Sequence, residues 1–180
     1  MKNLLEPDSG PDLIIPVLGI LPLLIVANSF ENATAIGMVN LVAIVTTGII
    51  IATLRNLLPL ELRLVVILLV AASVLSIIYV GMQFWFYALS QQLGIYIPLI
   101  AVNFLLLGWT EEYALRNGII KTALHTMQAG LGVLVIVIVI GLIREYAGLS
   151  LLKQPAGAFL VLGLLIALYN VAGNRQQQSG

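Results

Sequence analysis

The sequence contains no cysteine. This absence excludes disulfides, cysteine-ligated zinc and any iron–sulfur cluster held by thiolates of this chain alone. The sequence has a single histidine, His125, in a polar stretch that precedes an apolar segment. A haem or metal site based on His125 would need a second donor from another subunit, so we interpret this residue as an interfacial one that leads into a helix.

Charged residues are also scarce. They make up 9% of the sequence against 61% hydrophobic residues, the formal net charge is zero and the mean hydropathy is +1.09. A zero net charge gives no electrostatic case for binding nucleic acid. The apolar runs are long enough to cross a hydrocarbon core of ~30 Å and do not alternate as barrel strands do. The sequence therefore predicts an all-α integral membrane protein.

The middle of every apolar run lacks acidic and basic residues. One such charge at the centre of a span would cost ~2.5–3.5 kcal/mol or more. This pattern argues against a proton relay or an ion-binding carboxylate contained in this chain alone. The sequence also shows no nucleophile–base pair, phosphate-binding glycine loop or carboxylate pair, so no catalytic residue and no metal ligand is assigned.

Hydropathy divides the chain into six candidate spans, at about 13–27, 33–54, 62–89, 95–109, 129–146 and 155–172. The first and fourth would reach only ~22 Å as straight helices, which is too short to cross the bilayer. Both contain glycine and proline, in Leu18-Gly19-Ile20-Leu21-Pro22 and in Leu93-Gly94-Ile95-Tyr96-Ile97-Pro98. We therefore predict that the first and fourth spans are short, broken helices.

Each half of the chain has one short broken segment followed by two long ones. Because three crossings per half is an odd number, the second half enters the membrane from the opposite face, which predicts an inverted repeat. We interpret residues 1–180 as a single transmembrane domain with a polar N-terminal arm at 1–12 and a disordered tail at 174–180.

The distribution of lysine and arginine predicts the orientation. With six crossings, most of these residues share one side, namely Lys2, Arg55, Arg63, Arg116, Lys121 and Arg175. Arg144 and Lys153 lie on the other side. The positive-inside rule then places both termini in the cytoplasm, with the chain in the cytoplasmic (inner) membrane of a bacterium.

Paired broken segments are the best sequence pointer to a functional site near the bilayer midplane. The candidate residues are Pro22, Asn28, Pro98 and Asn103. We interpret Asn28 and Asn103 as caps for backbone groups that the breaks leave free, and contact with a substrate is the alternative.

Two further groups of polar residues have structural interpretations. The polar residues inside the spans are interpreted as interhelical hydrogen-bonding groups, and they are Asn40, Thr46, Thr47, Ser73, Ser76, Gln83 and Asn103. The charged pairs Glu61 with Arg63 and Arg144 with Glu145 are interpreted as interfacial anchors, with binding of partner loops as the alternative.

The chain resembles the six-helix membrane subunits of the Rnf and Nqr electron-transport complexes, in particular the E subunit of Rnf and the D subunit of Nqr. The resemblance extends from about residue 13 to residue 173. Besides the two broken segments, it rests on Thr53-Leu54-Arg55, Pro59-x-Glu61-Leu62-Arg63, Asn103, Gly108, Ile143-Arg144-Glu145-Tyr146-Ala147-Gly148 and Pro155-Ala156-Gly157-Ala158-Phe159. The loop between the fifth and sixth segments is shorter than in the family.

The resemblance implies a heterodimer of two oppositely oriented subunits that hold a [2Fe–2S] cluster near the bilayer centre, with two cysteines from each. In the family these cysteines lie in patterns such as Leu-Gly-Leu-Cys-Pro and Thr-Asn-Cys. Here the two positions are occupied by Leu21 and Phe104, and the Ser9-Gly10-Pro11-Asp12 region replaces an Asn-Asn pair. Neither side chain offers iron a lone pair, so we expect apolar packing there and no cofactor bound by this chain alone.

Two functions are consistent with the sequence. The first is a cluster-free Rnf/Nqr-like subunit, a structural or accessory and at most non-catalytic component of a membrane electron-transport complex. Its expected partners are other integral membrane subunits, among them an oppositely oriented homologous one, and the lipid bilayer. The alternative is a repurposed small membrane protein that acts as a partner-binding scaffold or transports a small solute.

Overall fold

The computed structural model describes residues 14–94, 96–146, 154 and 157–163, and within these ranges every regular element is helical. The all-α class predicted from composition is confirmed. The α-helices are α1 (Ile14–Val26), α2 (Phe30–Leu54), α3 (Arg63–Trp85), α4 (Tyr87–Leu93), α5 (Tyr96–Leu99), α6 (Phe104–Trp109) and α7 (Ile119–Tyr146). Residues 157–163 form a further helical segment. The predicted arm at 1–12 and the tail at 174–180 lie outside the described residues.

Three of the described helices are long and apolar enough to cross a membrane: Phe30–Leu57, Arg63–Trp85 and Ile119–Tyr146. The first and last have 28 residues each, or about 42 Å of helix, against a hydrocarbon core of ~30 Å. They correspond to the second, third and fifth predicted spans. Only part of the sixth predicted span is described, so the count of six stays a prediction.

Several helix boundaries differ from the predicted spans. α7 begins at Ile119, ten residues before the apolar run that marks the fifth span, and it therefore includes His125. The third span ends at Trp85, because Phe86 leaves helical geometry at φ −133° and ψ 54°, and α4 follows as a separate helix. Hydropathy locates only the apolar part of a helix. Polar turns at its ends can belong to the same helix, so the helix can be longer than the apolar run.

The two short segments differ from each other. The fourth is broken as predicted, into α5, a 3₁₀ turn at Ile100–Val102, α6 and a π turn at Thr110–Ala114. The first is short but continuous: α1 runs through Pro22, and irregular backbone appears only after Val26. The predicted break inside the first segment is therefore wrong. An internal proline removes one backbone hydrogen bond, and packing against neighbouring helices makes this tolerable in membrane proteins.

Helices α2 and α7 form the most extensive helix pair, and glycines bring them together. The close approaches are Gly37 to Leu134, Gly130 to Leu41, Gly48 to Thr126 and Gly141 to Ala33. The order of these contacts makes the two helices antiparallel. The contacts are also reciprocal. When the residue number on α2 is raised and that on α7 is lowered by the same amount, Gly37–Leu134 becomes Gly130–Leu41, and Gly48–Thr126 becomes Gly141–Ala33. A twofold axis between α2 and α7 produces this pattern, which supports the predicted inverted repeat.

Candidate functional site

The two segments that sequence analysis singled out meet in the structure. Helix α1 packs against both α5 and α6. Leu21 on α1 is partly buried and packs against the main apolar core, which also contains the fully buried neighbours Leu23 and Leu24. Phe104 is the first residue of α6, and its side chain lies outside the described part of the structure. The two expected ligand positions thus lie on helices in direct contact.

The two prolines occupy different environments. Pro22 is inside α1 and partly buried. Pro98 is the third residue of α5, where a missing N–H removes no intrahelical bond. Pro98 is exposed and lines a depression of about 330 Å³ together with Ala72 and Tyr79 of α3. The prolines are therefore not brought to one common pocket.

The junction between α1 and α2 is fixed by three polar residues. Ser29 is the N-cap of α2, and its hydroxyl oxygen accepts a hydrogen bond from the N–H of Asn32 at 3.3 Å. The side-chain oxygen of Asn28 accepts from the side-chain nitrogen of Asn32 at 2.9 Å. The cap predicted for Asn28 is thus made by its neighbour Ser29, and Asn28 itself is exposed and bonds a side chain.

Ser29 provides a direct test of this junction. An N-cap hydroxyl satisfies one of the amide groups that a helix start leaves without a partner, and its loss typically costs ~1 kcal/mol. We expect Ser29→Ala to lower the unfolding free energy by about this amount, and Ser29→Asp to retain the cap. Equilibrium unfolding in detergent measures both, and equal stability of Ser29→Ala and the wild type would exclude this role.

Asn103 lies at the second break. It ends the 3₁₀ turn, with its N–H donated to the carbonyl of Ile100 at 3.1 Å, and its own carbonyl accepts from the N–H of Leu107 at 3.0 Å. The side chain is buried. Asn103 therefore occupies the position before α6 at which a polar residue is expected, and its contact with a substrate stays a prediction.

Arg144 is the principal residue that sequence analysis misplaced. The sequence pattern indicates an interfacial anchor, but Arg144 has 0% exposure and bonds to backbone of this chain. One guanidinium nitrogen, Nη1, donates to the carbonyls of Leu24 at 2.5 Å and Ala27 at 2.7 Å, and Nη2 donates to the carbonyl of Gln154 at 3.1 Å. The end of α1 lacks intrahelical donors for its last carbonyls, and Arg144 supplies them.

The adjacent Glu145 binds the start of the next helix. Its Oε2 accepts a hydrogen bond from the N–H of Phe30, the first residue of α2, at 2.7 Å. A helix carries partial negative charge at its C-terminus and partial positive charge at its N-terminus. Arg144 therefore faces the end of α1 and Glu145 the beginning of α2, each with the complementary charge. These two residues fix the α1–α2 junction to the end of α7.

Four of the polar residues inside the spans do not form the predicted interhelical hydrogen bonds among the described residues. Ser73 and Ser76 donate to carbonyls of their own helix, those of Leu69 and Ala72, each at 2.8 Å. Asn40 and Thr47 are fully buried, and neither side chain has a hydrogen-bond partner in the described part of the chain. For Ser73 and Ser76 the prediction is wrong, because a hydroxyl in a helix reaches its own preceding turn more easily than a neighbouring helix. For Thr46, Gln83 and Asn103 it stays a prediction.

His125 is exposed and belongs to the first turns of α7. Its ring stacks on that of Tyr113, with ring centroids 4.9 Å apart and an interplanar angle of 21°. No group of three or more His, Asp or Glu residues that could hold a metal occurs among the described residues. The environment of His125 agrees with the interfacial interpretation.

The contact between α1 and α6 can be tested against the cluster that the resemblance implies. A [2Fe–2S] cluster requires thiolate ligands, with histidine replacing cysteine in one class. Leu21 offers an aliphatic side chain packed against apolar neighbours, Phe104 offers a hydrocarbon ring, and the sequence holds no cysteine. The residues of this chain therefore do not fit an iron–sulfur cluster, and no electron-transfer step is derived through one.

Helical composition and three helices long and apolar enough to cross a membrane define an α-helical integral membrane protein. The antiparallel, reciprocal packing of α2 and α7 supports the predicted inversion of the two halves. The chain belongs to the Rnf-Nqr family of membrane protein subunits, which matches residues 12–173. This family membership confirms the resemblance seen in the sequence motifs.

Curated relatives agree with this assignment. The chain is 32% identical to the E subunit of the ion-translocating oxidoreductase complex of Vibrio parahaemolyticus, over 91% of this chain and 84% of the relative. It is 32% identical to the protein of the same name in Pseudomonas paraeruginosa, over 87% of this chain and 78% of the relative. The corresponding figures for Haemophilus ducreyi are 29%, 88% and 82%.

Proposed function

We propose that this chain is a membrane subunit of an ion-translocating oxidoreductase complex and that it serves as a structural or accessory component without iron ligands of its own. The family match over residues 12–173 and the shared name of its relatives support the first part. The family match does not favour the alternative of a repurposed scaffold or solute transporter.

The cluster-free part of the proposal rests on one observation. Helices α1 and α6 are in contact, as the family's cofactor site requires, yet the position on α1 that should carry a thiolate holds a leucine packed into the apolar core. An apolar side chain there fills space that would otherwise be a void, and voids in a close-packed interior destabilise the fold. The contact between α1 and α6 together with the absence of donor atoms at Leu21 and Phe104 supports the cluster-free proposal.

The proposed partners are other integral membrane subunits, including a homologous subunit of opposite orientation. Large apolar side chains on the outer faces of α3 and α7 support this, among them Leu69, Ile77, Leu124 and Val135. In a bilayer such faces contact either lipid tails or helices of neighbouring subunits. Both kinds of contact keep the apolar side chains away from water. Assembly of a complex would replace part of the contact with lipid by contact with protein.

The proposed location is the cytoplasmic membrane of a bacterium, with both termini in the cytoplasm. Three of the six cations assigned to the cytoplasmic side, Arg55, Arg116 and Lys121, line one depression, which supports the proposed orientation. The junction of Phe30 with Glu145 marks the opposite end of α2 and α7. The positive-inside rule then orients this pair.

Purification of the complex from native membranes tests the proposal. Affinity-tagged chain is expected to recover other membrane subunits that carry redox cofactors. The chain separated from them is expected to contain no iron above a mock purification and to give no low-temperature EPR signal. Recovery of the chain without any redox-active subunit would refute membership in such a complex, and stoichiometric iron on the separated chain would refute the cluster-free part.

A double variant, Leu21→Cys with Phe104→Cys, provides the matched comparison. If the site geometry is retained and the homologous subunit supplies the other two cysteines, restoring both thiolates within the assembled complex is expected to add iron that the wild-type complex lacks. Leu21→Ser with Phe104→Ser, which has similar polarity but weaker donors, is the control and is expected to add none.

A further inference from the structure

An open depression of about 620 Å³ lies at one end of α2 and α7, away from the contact between α1 and α6. Its lining residues are Arg55, Arg116, Asn117, Gly118, Ile119, Ile120 and Lys121. Three of them are cationic, and no carboxylate lines the depression in the described part of the chain. The lining itself therefore carries three positive charges and no negative one.

The backbone adds to this positive charge. The first residues of α7, a helix of 28 residues, form one wall of the depression. The first N–H groups of a helix have no intrahelical acceptor, and the helix start carries partial positive charge. Hydrogen bonds to Tyr113 fix the adjoining segment Asn117–Gly118. The amide N–H and the side-chain nitrogen of Asn117 both donate to the carbonyl of Tyr113, at 3.0 and 3.2 Å.

The depression lies at the ends of membrane-spanning helices, and this position favours a lipid over a soluble ligand. It lies where the membrane-spanning segments Phe30–Leu57 and Ile119–Tyr146 end and begin. Ile119 and Ile120, at 46% and 78% exposure, stand at its edge, and Leu57 nearby is 79% exposed. Cationic groups therefore adjoin exposed apolar side chains at the surface of the bilayer.

We propose that this depression binds the headgroup of an anionic phospholipid, with the phosphate between Arg55, Arg116 and Lys121 and an acyl chain along Ile119 and Ile120. Basic pockets between transmembrane helices are known to suit such headgroups. A bound lipid would link the end of α2 to the start of α7 and so stabilise the antiparallel pair.

Native mass spectrometry of the full chain in detergent tests the proposal. The probes are phosphatidylglycerol and phosphatidylcholine with identical acyl chains, and inorganic phosphate. The wild type is expected to retain phosphatidylglycerol in preference to phosphatidylcholine, and the preference is expected to fall with rising salt. Each neutralised cation is expected to reduce retention about fivefold.

The test variants are Arg55→Gln/Arg116→Gln/Lys121→Gln and, should the triple variant not fold, Arg116→Gln/Lys121→Gln, which leaves the end of α2 intact. Arg63→Gln is the matched control, because Arg63 carries the same charge at the start of α3 and does not line the depression. Loss of selectivity in the test variants with retention in Arg63→Gln supports the site.

Three results would overturn the proposal. Unchanged selectivity in the folded test variants would show that the cations do not bind the lipid. An equal loss in Arg63→Gln would show that overall charge, not this depression, attracts it. Displacement of phosphatidylglycerol by inorganic phosphate at similar concentration would assign the site to a soluble anion.

Discussion

Replacement of Arg144 by methionine is expected to lower the free energy of unfolding by about 3–6 kcal/mol, the largest effect of any substitution considered for this chain. Methionine keeps a long, flexible apolar side chain of similar reach but no donor. The carbonyls of Leu24 and Ala27 would lose hydrogen bonds from a charged group, each of which contributes ~1.5–3 kcal/mol.

The burial of Arg144 explains why the loss is large. Arg144 has 0% exposure, so water cannot replace the guanidinium at the end of α1 without a local opening of the structure. A buried carbonyl without a donor has lost its hydrogen bonds to water and forms none within the protein, which is unfavourable. The defect is therefore expected to loosen the end of α1 together with the junction leading to α2.

Two further substitutions make this test specific. Arg144→Lys retains the positive charge but replaces the planar fork by a single nitrogen, so we expect an intermediate stability. Arg63→Met removes a partly buried arginine at the start of α3, away from both the Arg144 contacts and the cationic depression, and is the control for loss of an arginine as such. Unfolding in detergent can be followed by the fluorescence of Trp85 and Trp109. Equal stability of Arg144→Met and Arg63→Met would contradict the assigned role.

The burial of Arg144 shows where prediction from the sequence reached its limit. An arginine two residues before the end of an apolar run matches the pattern of an interfacial anchor, and local sequence contains no contrary signal. Its burial depends on the end of α1 meeting the end of α7, which are separated by more than a hundred residues. The one sequence feature that points to this burial is the adjacent pair Arg144–Glu145 within an otherwise apolar motif.

Composition and segment length predicted more of the fold than of the site. The long apolar runs identified α2, α3 and α7, because continuous hydrophobicity without proline has few structural solutions in a bilayer. The two short segments were predicted to mark one functional site, and the contact between α1 and α6 agrees with that prediction. The continuity of α1 through Pro22 and the π turn after α6 did not follow, since each depends on packing neighbours that a single sequence does not identify.

The glycines between α2 and α7 allow close helix packing, but the sequence does not show which residues they approach. Gly141 is expected to be the most sensitive of the glycines between α2 and α7. A Cβ atom at Gly141 would lie 2.5 Å from the Cβ of Ala33 and 3.1 Å from the carbonyl oxygen of Ser29. Neither atom belongs to the flexible end of a side chain, so the two helices themselves must separate. We expect Gly141→Ala to cost about 1–3 kcal/mol, as overpacking typically does.

Gly132 on the same helix is the matched control. A Cβ atom at Gly132 would meet nothing within 4 Å. Alanine has a higher helix propensity than glycine by up to ~1 kcal/mol, so Gly132→Ala is expected to leave stability unchanged or to raise it slightly. Opposite responses of two Gly→Ala substitutions within one helix would separate close packing from helix propensity.

A compensating change across the interface completes the test. Ala33→Gly removes the methyl group that a new Cβ at residue 141 would strike, so Ala33→Gly/Gly141→Ala is expected to regain most of the loss caused by Gly141→Ala. The double-mutant cycle should therefore give a coupling energy of about 1 kcal/mol or more. Thermal and denaturant unfolding of the four proteins in one detergent measures it. If the effects of the two substitutions simply add, Ala33 and Gly141 are not in contact. One of the reciprocal contacts that relate α2 to α7 by twofold symmetry would then be absent.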